Sequence, residues 1–171
     1  MKVENYGVTL MRLTEDKIEL VRNWRNDPKI VQFMEFKEFI TPEMHLNWFH
    51  KINNDKNYFF IIEYDGKETG MINVKDIDNE EGEAGIFIFD DYYLNSDLSF
   101  KSCVCLAEFC FETLKLKRMK AHILNNNKRA IQFNKFLGYK LSENQEGILN
   151  QLYYLTKEDF NSKKERLIRL F

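Results

Sequence analysis

Few positions in this 171-residue chain carry side chains suited to chemistry, and their spacing narrows what they can do. Cys103, Cys105 and Cys110, with His45, His50 and His122, are the residue types that hold metals or act as nucleophiles. Cysteines two and five apart on a helix do not share a face, and the histidines fall at no metal-ligand spacing, so no metal centre is expected. An odd number of thiols with nothing further to pair with argues against a disulfide framework, and they read as buried packing. Ser96, Asp97 and Ser99 precede a long helical pattern and suit an N-cap. Asn127 suits an Asx-type turn before a second helix, and Glu83 reads as a solvated carboxylate beside Glu80 and Glu81. Arg22 and Arg25 lie among Trp24, Phe33 and Met34, and for Arg25 a buried packing or ion-pair role is the expectation. Leu46, Trp48, Phe49 and Ile52 do not form one narrow stripe, so these aromatics either pack in the core or face a pocket.

The elements that position these residues follow from periodicity. Val8 to Leu13 alternates as a first strand, and Asp16 with Glu19 forms a capping box for a helix through Asn26. Pro28 ends that helix or starts the next. Thr41-Pro42-Glu43 starts another helix, with Thr at the N-cap and Pro at the first helical position. Tyr58 to Tyr64, the hairpin signal Asp65-Gly66, Thr69 to Val74, an acidic turn and Glu83 to Asp90 make an antiparallel meander. Phe100 to Leu114 has helical spacing, Met119 to Leu124 reads as a strand, and the next helix ends at Gly138, a residue suited to a C-cap. Tyr139 to Ser142, Gln151 to Thr156 and a last helix over 158–170 complete the chain.

Composition sets the outer bounds. At 44% hydrophobic residues the chain has the size and apolar content of one domain, 1–171. A net charge of −2 and a pI near 6.0 give no basic field for nucleic acid or an anionic membrane. No apolar run approaches a membrane span and MKVENYGVTL lacks a signal-peptide core, so a cytoplasmic location is expected.

The pattern GIFI (85–88), a loop opening a long helix, then NN..A…F…LGY (126–139) resembles the acetyl-CoA-binding core of the GNAT N-acetyltransferases. The element order extends the resemblance over most of the chain. It implies an α/β fold with a mixed central sheet of about seven strands flanked by helices, splayed between the strands at 83–90 and 119–124. W-R-N-D-P (24–28) with Phe33-Met34, H-L-x-W-F (45–49) and Y-F-x-I-x-x-x-x-G (58–66) resemble, more narrowly, the amino-sugar N-acetyltransferases of pseudaminic acid biosynthesis. The same features occur more loosely in ribosomal-protein N-terminal acetyltransferases.

The resemblance implies transfer of an acetyl group from acetyl-CoA to a primary amine, most closely that of a nucleotide-linked amino sugar. The alternatives are a protein N-terminal amine as acceptor, or a binding module without turnover. No metal, nucleic acid or membrane partner is implied, and a homodimer is compatible with the reading. On the family pattern the pantetheine arm lies in the splay against the backbones of Phe87, Ile88 and Phe89, and a backbone N–H there holds the oxyanion. Ser96 and Ser99 lie where the diphosphate meets the helix N-terminus, and Asn127 bonds the arm. Glu83 takes the amine proton, directly or through water. Phe33, Met34 and Trp48 form a surface for the base, with Arg22 or Arg25 on the acceptor's diphosphate. Two positions depart from the pattern: Leu94 to Ser99 has no glycine, and Asn134 stands where a tyrosine usually protonates the leaving thiolate. Asp97 either turns outward or occupies the anion site, where a like charge at about 4 Å costs roughly 4 kcal/mol at an effective dielectric near 20.

Overall fold

The first strand is one that the sequence conceals. A computed structural model describes Met1–Phe171 throughout, and β1 (Lys2–Asn5) pairs antiparallel with β2 (Val8–Arg12) ahead of everything expected. Only Val3 of β1 is even half-buried, so no apolar alternation marks this edge strand.

The lid comes next. A single 3-10 turn, Glu15–Lys17, leads into α1 (Ile18–Asn26). The expected capping box does not form, because Asp16 lies inside that turn and Glu19 bonds Arg22. Ile18, Val21 and Trp24 bury one stripe of α1. Pro28 opens the short α2 (Pro28–Val31), with the Asp27 side chain accepting from the Lys29 N–H at 2.9 Å. Thr41 caps α3 (Pro42–Ile52) as predicted, its hydroxyl accepting from the Met44 N–H.

The meander is β3 (Tyr58–Tyr64), β4 (Lys67–Lys75) and β5 (Glu81–Ile88). α4 (Leu98–Glu108) begins earlier than the periodicity indicates and ends in a π-helical turn, Phe109–Thr113. β6 (Arg118–Leu124), α5 (Lys128–Leu137), β7 (Lys140–Leu141), β8 (Asn150–Thr156) and α6 (Lys157–Ile168) follow. Gly138 ends α5 at φ +110°, where a side chain would be strained. The eight strands form one mixed sheet in the order β1-β2-β3-β4-β5-β6-β8-β7, one strand more than expected. No helix is long and apolar enough to cross a membrane.

Period-two alternation assigns the two faces. Phe60, Ile62, Ile72 and Val74, with Met119, Ala121 and Ile123 of β6, join the core under α4 and α6. Phe59, Ile61 and Met71 pack under the lid with Trp24 of α1 and Phe49 of α3. Glu83, Lys120 and His122 therefore share the lid face, beyond the helices that cover its other half. The only parallel pair is β5 with β6, in register for three residues: Glu81 with Arg118, Gly82 with Met119 and Glu83 with Lys120. Past Glu83 the strands part, and this is the splay that the resemblance implies.

Candidate active site

Pairing on one edge of β5 decides what its other edge offers. The Phe89 N–H donates to Thr69 O of β4 at 2.8 Å, and alternation turns the Phe87 backbone the same way. Ile88, with Ile86 two residues before it, presents N–H and C=O groups to the opening instead. Of the expected backbone set, Ile88 therefore faces the splay. Phe87 and Phe89 do not: their amides serve β4 and their rings pack on Trp24, at centroid distances of 6.4 and 5.4 Å. From Glu83 to Ile88 the open edge runs roughly 16 Å, at about 3.3 Å per residue.

The splay leads to the N-terminus of α4. Ser96 is occupied locally, its hydroxyl donating to Tyr93 O and accepting from the Leu98 N–H. Asp97 caps nothing; it pairs along the helix with Lys101 at 2.8 Å, and Lys101 also bonds the Tyr64 hydroxyl. The charge that would repel a diphosphate is thereby matched by a neighbouring cation. The backbone N–H groups of Asp97, Ser99 and Phe100 donate to no acceptor in the protein, and the Ser99 hydroxyl has no partner. Arg129 of α5 ties the loop in place through Leu94 O and Asn95. These residues fit an anion held without glycines, since the N–H set remains open. Asn127 caps α5 by accepting from the Ala130 N–H at 3.1 Å, while its side-chain amide nitrogen has no acceptor. Asn134 donates to Ala130 O and carries no acidic proton for a thiolate.

Glu83 separates from its acidic neighbours. Asp78 accepts the Glu80 and Glu81 N–H groups and so closes the turn, while Glu80 pairs with Lys117 and Glu81 with Arg118 and Lys120. Glu83 therefore does not cap that turn. Its carboxylate lies 3.4 Å from His122 Nδ1 and 3.6 Å from Lys75 Nζ, at the point where β5 and β6 separate. The three thiols are inert by comparison, since burial pushes Cys103 and Cys105 up to about 12 and Cys110 higher still.

On the lid, the ion pair falls to Arg22, and Arg25 has the packing role expected of it. Arg22 is neutralised by a bidentate bond to Glu19 and donates to Ile40 O. Arg25 has no carboxylate partner; its guanidinium lies over the Trp48 ring at 5.2 Å, and burial lowers its pKa. A long side chain three positions along a helix reaches a different neighbour, which the sequence does not reveal. Trp48 is committed to the lid itself, stacked on His45 at 4.7 Å and set edge-on to Phe59, so it is not an open platform for a base. Phe33, 60% exposed, and half-buried Met34 stay open and make no ring contact with Trp48.

His45 is fully buried, with both ring nitrogens unpartnered. Burial first, then the Arg25 charge, lowers it from 6.5 to about 4. The unfolded chain therefore binds the extra proton between those values. This contribution to stability is intact above pH 6.5 and is lost as pH falls toward 4. At pH 5 the expected loss relative to pH 7.5 is about 2 kcal/mol, or a Tm lower by about 4–8 °C. The measurement is Tm against pH for the unmodified protein and His45→Phe; an equal acid slope in both would refute the assignment.

Comparison with known proteins agrees with this geometry. The acetyltransferase (GNAT) domain model matches residues 8–140. Acetyltransferase PseH of Campylobacter jejuni is 30% identical over 137 residues, covering 77% of this chain and 80% of that protein. Among solved structures, the apo form of FdhC, described as a nucleotide-linked sugar GNAT, superposes with a TM-score of 0.83 at 18% identity, covering 99% of this chain and 98% of that one. Spermidine N-acetyltransferase from Vibrio cholerae, in complex with CoA and spermine, gives 0.77 at 16% identity, covering 92% and 99%. With the family model spanning most of its length and the splay and helix N-terminus in their places, the chain belongs to the GNAT acetyltransferase family.

Proposed function

We propose that this N-acetyltransferase uses acetyl-CoA to acetylate the primary amine of a nucleotide-linked amino sugar. The observation that carries the reading is the opening between β5 and β6, which runs from the open N–H groups of α4 to the Glu83 carboxylate. The amides of Asp97, Ser99 and Phe100, with the Ser99 hydroxyl, hold the diphosphate of the co-substrate. The Ile88 and Ile86 backbones hydrogen-bond its arm as an added strand, and the Asn127 amide donates to it. Acetyl-CoA supplies an activated acyl group on a good leaving group, so the absence of an acid at Asn134 slows the reaction without blocking it. An outward-facing N–H near the apex of the splay receives the oxyanion. Glu83 draws off the amine proton, directly or through an intermediary.

The acceptor lies across the lid face. Of the two arginines, Arg25, without a carboxylate partner and held by Trp48, is the one that meets the nucleotide diphosphate. Phe33 and Met34 provide the surface for the base. FdhC, a nucleotide-linked sugar GNAT by description, supports this acceptor class, as does the likeness to PseH. A protein N-terminus as acceptor would favour an acidic channel, whereas here Lys75 and Lys120 offset Glu83 and Glu81, and Arg25 adds a charge with no carboxylate partner.

The test is an assay of CoA thiol release with UDP-linked amino sugars as acceptors. Arg25→Ala is expected to raise KM for the nucleotide sugar by about tenfold or more, with KM for acetyl-CoA unchanged, in line with loss of one charge-assisted contact. Turnover of free amino sugars as readily as nucleotide-linked ones would overturn the acceptor assignment.

A further inference from the structure

We infer that His122 is the group that takes the proton from the acceptor amine, with Glu83 orienting its ring. This rests on the reading of Glu83 above and names the intermediary through which it acts. Geometry carries the inference. His122 lies on β6 two residues past the last residue paired to β5, at the rim of the splay and on the lid face. Its Nδ1 faces the Glu83 carboxylate at 3.4 Å, while Nε2 has no partner and the side chain is 38% exposed against 20% for Glu83. The contact is longer than a hydrogen bond in this geometry, but a carboxylate beside one ring nitrogen favours the proton there and leaves the lone pair of the other directed outward, the arrangement that makes an imidazole a base.

The surroundings set the charge balance. From β4, Lys75 approaches Glu83 at 3.6 Å and also pairs with Asp76. On β5 and β6, Glu81 is occupied by Arg118 and Lys120. From β8, Tyr154 lies opposite Lys120, under the Arg118 guanidinium, and Leu152 lies opposite His122. Lys75 and Lys120 oppose a second positive charge on this face, and Glu83 is the anion that compensates it when the imidazole is protonated.

An N–H bond of the acceptor ammonium breaks, and its proton goes to Nε2 and then to solvent across the exposed ring edge. The neutral amine forms the C–N bond. As the C–S bond breaks, the second N–H proton is lost from nitrogen and a proton reaches the thiolate sulfur through water.

Two readouts decide the matter. Long-range proton–nitrogen NMR of the uniformly labelled protein is expected to show neutral His122 as the Nδ1–H tautomer, reverting to the Nε2–H form in Glu83→Ala. In kinetics, His122→Gln is expected to lower kcat about 100–1,000-fold, to flatten the acidic limb of the kcat/KM profile and to leave KM for acetyl-CoA unchanged. Added imidazole is expected to restore activity to His122→Ala. An Nε2–H tautomer in the unmodified protein, or a His122→Gln enzyme with the original rate and acidic limb, overturns the inference. If the unmodified enzyme acetylates a simple primary amine but no nucleotide-linked sugar, the acceptor assignment falls, and the same readouts on that amine still decide His122.

Discussion

Glu83→Gln is expected to lower kcat for amine acetylation by about 100–1,000-fold, roughly 3–4 kcal/mol of transition-state stabilisation. The substitution preserves shape but removes the charge that faces His122 and Lys75. An amine arrives as an ammonium and is not nucleophilic until it loses a proton, so a site that cannot take up positive charge stalls before bond formation. In the proposed site acetyl-CoA lies along a separate edge, from α4 to Ile88, so its affinity is expected to stay within about twofold. Steady-state kinetics with calorimetric titration of acetyl-CoA separates the two effects. A variant within threefold of the parent rate would return Glu83 to the role of a solvated strand-end carboxylate.

The second large effect is expected at Gly70, which pairs with Ile88 across β4 and β5. A Cβ there would lie 2.3 Å from Phe87 O and 2.9 Å from Ile88 Cα, backbone atoms that no side-chain rotation can relieve. Gly70→Ala is therefore expected to destabilise the fold by about 2–4 kcal/mol, the range for overpacking against fixed neighbours. Displacing the Ile88 backbone also moves the open edge of β5. Acetyl-CoA affinity is expected to fall about tenfold even where the protein remains folded. Denaturant unfolding and calorimetry give the two numbers independently, and an unchanged unfolding midpoint would show that β5 shifts without cost.

The parts of this architecture legible in the sequence are those fixed by local pattern. Thr41-Pro42 and Gly138 act through capping within a few residues, and the strand, helix, strand, helix unit over 83–139 has clear periodicity. β1 escaped notice because an exposed edge strand has no buried face to impose alternation. Asp16 and Glu19 met the spacing of a capping box, but a 3-10 turn displaced the start of the helix. The site was legible as a list of residues and not as a set of partners. Arg22 and Arg25 look interchangeable until the fold gives one of them Glu19 and leaves the other over Trp48. Glu83 and His122 are 39 residues apart, joined only by the register of one short parallel pair. No local spacing encodes that contact. Asp97 looked obstructive because its pairing with Lys101, one turn along the helix, shows only in the fold.

The open edge of β5 has a consequence for turnover. A chain that grips its co-substrate through strand-like bonds and a diphosphate cradle recognises what acetyl-CoA shares with free CoA. Binding energy of that kind is uniform across the reaction and does not favour release of the spent carrier. On the proposed binding mode the enzyme is expected to slow as free CoA accumulates, and so to follow the ratio of acetylated to free coenzyme. On that reading the gap in the sheet would make the protein a gauge of acetyl supply as well as a consumer of it.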